Sequence, residues 1–83
     1  MKKLGAVTGV KWFDKVNGNT YHKVYIELEN GDYYESSIKY GYGTQYLVTA
    51  SDMLKKMGLN IEYHEVSRNF YTNEYDVLRK RDM

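Results

Sequence analysis

Between residues 21 and 29 apolar and polar side chains alternate without a break. Val24, Ile26 and Leu28 fall on one side, and Lys23, Tyr25, Glu27 and Glu29 on the other. A period of two predicts a strand with one face on a core and the other wet or in contact with something else. Residues 4–13 alternate more loosely, with Ala6, Thr8, Val10 and Trp12 opposite Val7, Gly9, Lys11 and Phe13, and Trp12 reads as a large core residue. A third alternating run covers 33–40, where Tyr34, Ser36, Ile38 and Tyr40 oppose Tyr33, Glu35, Ser37 and Lys39. Asn17-Gly18 and Asn30-Gly31 separate the three runs, and both residues of such a pair accept positive φ at little cost. Three strands joined by tight turns make an antiparallel meander.

The period then changes. Gly41 and Gly43 end the third strand. Beyond them Leu47, Ala50, Leu54 and Met57 recur at three- and four-residue steps, flanked by Tyr46 and Met53, which predicts an amphipathic helix. Thr44 fits its N-cap, with a later start at Thr49 and Asp52 as the competitor; Gly58 fits its stop. Residues 61–71 return to extended chemistry. A turn at Ser67-Arg68-Asn69 divides them from a last short strand over 73–78, and 79–83 read as a frayed basic tail. The fold class is therefore α+β, ordered β-β-β-α-β(-β), with one helix across one antiparallel sheet in a single domain over 1–78.

Composition narrows the function classes. The chain has 83 residues, a net charge of +1, no cysteine, no proline and ten tyrosines against two phenylalanines and one tryptophan. One small core fits this length, and a partner or a second copy is a natural source of added stability. Without cysteine there is no disulfide or thiolate metal site, which suits a reducing compartment. The first residues, Met-Lys-Lys-Leu-Gly-Ala-Val, start like a signal peptide, but Gly9, Lys11 and Asp14 interrupt any apolar region. No run approaches the roughly 20 apolar residues of a membrane span. The expectation is a soluble protein of the cytoplasm that makes no membrane contact. Near-neutral charge argues against binding duplexes by neutralising many phosphates.

Gly41-Tyr42-Gly43 resembles a fragment of a phosphate loop but lacks what such loops need. Tyr46 stands where a dinucleotide fingerprint requires glycine, and Gly43 is followed by Thr44 rather than by a lysine. The same tripeptide in a channel filter requires a membrane pore. What survives is the general affinity of a helix start for an anion. His22 and His64 are the only histidines, with no local ligand spacing around them, and His22 falls at the end of the Val24 face, where a packed, hydrogen-bonded role is expected. Ser36 and Ser37 lie within a strand pattern and no nucleophile elbow is present. The sequence thus points to no catalysis, no cofactor and no metal.

The segments Asn17-Gly18-Asn19-Thr20-Tyr21-His22 and Tyr40-Gly41-Tyr42-Gly43-Thr44-Gln45-Tyr46 resemble those of a family of small, mostly uncharacterised bacteriophage and prophage proteins. In that family a similar turn precedes a strand, and a similar glycine-tyrosine junction precedes the helix. The likeness covers the first two thirds of the chain and implies a phage genome and a bacterial host cytoplasm. It carries no activity. Small phage proteins of this kind are often accessory or host-directed, inhibitors of bacterial defences such as CRISPR systems among them.

What remains is binding. Tyr25 and Tyr33 lie on matching polar faces, with Lys23 and Lys39 beside them, and Tyr40, Tyr42 and Tyr46 crowd the junction. Tyrosine anchors protein partners at small entropic cost, and Glu27, Glu29, Asp32 and Glu35 in the same region would repel phosphate. The expectation is a non-catalytic module that engages a host protein through these residues. Single-stranded nucleic acid stacked on the tyrosines is the alternative, and a homodimer interface is the third reading.

Overall fold

The two alternating runs form one long hairpin. In a computed structural model that describes residues 3–41 and 43–83, β1 (Gly5–Asp14) and β2 (Asn19–Leu28) pair antiparallel from Gly5 opposite Leu28 to Asp14 opposite Asn19. Their turn is built by Asp14 as well as by Asn17-Gly18. The Asp14 carboxylate accepts the Val16 N–H at 3.0 Å and the Asn17 side-chain amide at 2.8 Å, an Asx-type turn that leaves Gly18 at φ +70° to re-enter the sheet.

Beside β2 the third run splits into β3 (Tyr33–Glu35) and β4 (Lys39–Tyr40). Tyr25 faces Glu35, whereas Tyr21 faces Tyr40, so four steps along β2 match five along its partner. That single extra residue is a β-bulge. Ser36 spans it: its N–H donates to the Val24 carbonyl at 2.8 Å, and its hydroxyl accepts the Val24 N–H at 2.9 Å. A side chain replaces the carbonyl of a regular ladder.

Helix α1 (Gln45–Lys56) follows, with Thr44 at its N-cap position but without a side-chain capping bond, and basic Lys55 and Lys56 in its last turn. Thr49 is a buried interior residue of this helix, so no later start exists. The chain then departs from the extended reading of 61–71. A 3₁₀ turn (Tyr63–Glu65) runs into a short α2 (Val66–Asn69), opened by a reciprocal capping box between Glu62 and Glu65. Lys3 caps its other end, its ammonium 3.0 Å from the carbonyls of Ser67 and Arg68.

One strand remains, β5 (Tyr71–Val77), and it pairs with β1 in parallel, from Ala6 beside Tyr71 to Trp12 beside Val77. The sheet is mixed, in the order β3/β4-β2-β1-β5, rather than a purely antiparallel meander. The reason is the crossover: α1, α2 and their link carry the chain from one edge to the other, and such a return delivers a parallel strand.

Both helices cover the same face. Val7, Val24 and Ile26 from the sheet pack with Tyr46, Ala50 and Leu54 of α1 and with Val66 and Phe70, while Leu28, Leu47, Met53, Met57, Leu59 and Ile61 fill the margins. Val66 and Phe70, four residues apart, show the helical spacing that places α2 in the core. Trp12 is not part of this core. Opposite Tyr21 on β1's other side, it stands half-buried on the face that the helices leave uncovered.

Candidate functional site

The strand registers gather the tyrosines on that second face. Tyr25 and Tyr21 on β2, Tyr33 on β3, Tyr40 on β4, Trp12 on β1 and Tyr71 and Tyr75 on β5 share it. Tyr33, Tyr40, Tyr71 and Tyr75 are 57–65% exposed. Trp12, Tyr21 and Tyr40 form a row across three adjacent strands: Trp12 and Tyr21 lie stacked at 5.8 Å between centroids, and Tyr21 meets Tyr40 edge-on at 5.8 Å. Tyr25 and Tyr33 make a second pair at 6.1 Å. Large amphipathic rings exposed together in this number are unusual for a surface that nothing touches.

The bulge decides which expected site residues belong here. Tyr25, Tyr33, Tyr40 and Lys23 do. Lys39 does not, because the extra residue reverses the alternation: beside β2, Lys39 pairs with His22 on the helix-covered side. Tyr46 is corrected as well. It is 6% exposed and lies in the core, flat against Gly9, where an added Cβ would come within 2.5 Å of the ring. Burial, with the carboxylate of Glu74 nearby, pushes its phenol pKa up. Tyr42 lies outside the described residues. Sequence reasoning missed Trp12, Tyr21, Tyr71 and Tyr75 as surface residues, although the alternation of β1 did place Trp12 opposite Val7.

Charges on the face are mixed and partly spent. The Lys23 ammonium stands 5.3 Å over the Tyr25 ring and 3.6 Å from the Glu35 carboxylate. Desolvation pulls its pKa down, but Tyr25 and Glu35 outweigh that and hold it above the usual lysine value. Desolvation and Glu35 raise the pKa of Tyr33. The tail carries a 3₁₀ turn (Lys80–Asp82), and the Tyr25 hydroxyl donates to the Met83 carbonyl at 2.5 Å.

The histidines lie elsewhere. His22 is buried on the helix side, its Nδ1 3.3 Å from the Gly41 carbonyl and its Nε2 2.6 Å from the Thr49 hydroxyl. A carbonyl only accepts, so Nδ1 carries the proton and Nε2 accepts from Thr49. The ring ties β2 to α1 and to the glycine junction. His64 packs edge-on against its neighbour Tyr63 on the 3₁₀ turn. Among the described residues no three histidine, cysteine or carboxylate side chains group as metal ligands, and no helix is long and apolar enough to cross a membrane. Comparison with protein-family models, with curated proteins and with solved structures finds no match to this chain.

Proposed function

We propose that the protein is a phage-encoded, non-catalytic binding module that engages a host protein through the open face of its sheet. The observation that carries this reading is the convergence of Trp12 and six tyrosines on the face opposite α1 and α2, where the C-terminal turn meets the sheet at Tyr25. Rings with two rotatable bonds and a polar tip lose little entropy on docking and satisfy a hydrogen bond at the rim. Their phosphate-repelling neighbours Asp14, Glu27 and Glu35, and the engagement of Lys23 by Glu35, favour protein over nucleic acid. The resemblance to phage proteins supplies the setting of a host cell.

Capture from bacterial lysate by the immobilised protein, with and without nuclease, tests the class of partner. A host protein retained after nuclease, with binding that falls little as salt rises, supports the proposal. A signal that vanishes with nuclease and weakens steeply with salt would assign the tyrosines to base stacking. Concentration-dependent self-association with no captured protein would assign them to a homodimer.

A further inference from the structure

At one end of the open face the aromatic row closes into a hollow of about 370 Å³, lined by Trp12, Tyr21, Tyr40, Ile38, Asp14 and Lys80. Three features of its walls converge on one kind of ligand. Tyr21 and Tyr40 meet at 72°, so their rings form a corner, and Trp12 lies stacked with Tyr21 beside it. The π faces of tryptophan and tyrosine attract cations, tryptophan most strongly. Asp14 adds a full negative charge. The Asn17 side chain first, then the backbone N–H groups of Asn17 and Val16, hydrogen-bond its carboxylate and hold its pKa below the usual value against desolvation. Oδ1 accepts both backbone N–H groups and Oδ2 the Asn17 amide, which leaves Oδ2 a lone pair for a further donor.

The rest of the face behaves in the same way toward the chain's own cations. Lys3 stands 5.9 Å from the centre of the Tyr71 ring and Lys23 5.3 Å from that of Tyr25. Among the described residues no lysine or arginine stands over Trp12, Tyr21 or Tyr40. Lys80 reaches the rim of the hollow, and its charge acts on Asp14 from there.

We infer that this hollow is a binding site for the ammonium or guanidinium group of a basic side chain, lysine or arginine, presented by the protein partner. The inference rests on the proposal that a protein docks on this face, and it names the chemistry at one end of that contact. Lys80 acts as a competing cation that withdraws when the partner's side chain enters.

Trp12 is the single tryptophan of the chain, so its fluorescence reads the hollow directly. The probes are Nα-acetyl-lysine amide and Nα-acetyl-arginine amide, with the amide of Nα,Nε-diacetyl-lysine as a neutral control, titrated at low salt. The cationic probes are expected to change the Trp12 emission saturably at millimolar concentration, and the neutral control to leave it unchanged. Asp14→Asn should weaken the cationic probes by tenfold or more, and Lys80→Ala should tighten them severalfold. Circular dichroism of each variant confirms the fold, and Lys80→Ala, an exposed change, keeps the test intact if Asp14→Asn disturbs the turn. Equal responses to cationic and neutral probes, or no gain from Lys80→Ala, would overturn the inference. The two proposals fail separately. Cation binding without a captured protein removes the partner and leaves the cage, whereas a captured protein with no cation response removes the cage alone.

Discussion

Gly9 and Tyr46 are coupled residues. A glycine in the middle of a central strand weakens the strand by itself, and here it is the one residue that lets the Tyr46 ring lie on the sheet. Gly9→Ala places a methyl group 2.5 Å from Tyr46 Cγ and 2.9 Å from its Cβ, atoms too close to the helix backbone to move aside freely. The expected cost is about 1–3 kcal/mol, read as a lower urea midpoint; an unchanged midpoint would show that Tyr46 does not pack there. His22 makes a second prediction at this scale. Burial, with a smaller push from Lys39, depresses its pKa below the model-peptide value of 6.5, and the Gly41 carbonyl only partly offsets this. With the folded value below the unfolded one, the unfolded chain binds the proton first. Stability is therefore intact above about pH 6.5 and falls as the pH drops through the folded pKa. Proton NMR should place the His22 midpoint below that of an unfolded peptide, and a midpoint at or above it would contradict the bonding described for the ring.

Elements were legible where a single period persisted, and were misread where one period gave way to another. The β1–β2 hairpin, α1 and the last strand all follow from alternation or from three- and four-residue steps. The bulge at Ser36 does not, since serine at that position continues the alternation of 33–40 and nothing local marks the extra residue. Only pairing with β2 reveals it, and it is the bulge that moves Lys39 off the tyrosine face. Ser36→Ala tests its role. With the hydroxyl gone, the Val24 N–H loses its acceptor, at an expected cost of about 1–3 kcal/mol; amide exchange at Val24 should rise more than at Ile26. Equal exchange at both would mean that the hydroxyl carries no part of the ladder. The helical step from Val66 to Phe70 was also present in the sequence, but Tyr63, Phe70 and Tyr71 together read as strand chemistry, and tertiary burial of Val66 and Phe70 settled the competition.

At the scale of the molecule, the helices occupy one side of the sheet and the aromatic rings the other. Which strands share a face was readable from parity, so Tyr25, Tyr33 and Lys23 were placed together correctly. The contribution of β5 was not readable, because the parallel crossover that brings Tyr71 and Tyr75 beside β1 is a property of the whole chain path. The proposed function places binding on this face. It predicts that Tyr33→Ala with Tyr75→Ala, both at exposed positions, weakens partner binding by about 2 kcal/mol or more, roughly 30-fold, while surface truncation leaves the melting temperature nearly unchanged. The most direct measurement is quantitative capture from nuclease-treated lysate by three baits side by side: the wild-type chain, that double variant, and a control carrying Asp52→Ala on the exposed side of α1. The expected result is a protein held by the wild type and by the helix control and lost from the double variant, with all three equally folded. Undiminished capture by the double variant, or loss confined to the helix control, would contradict it.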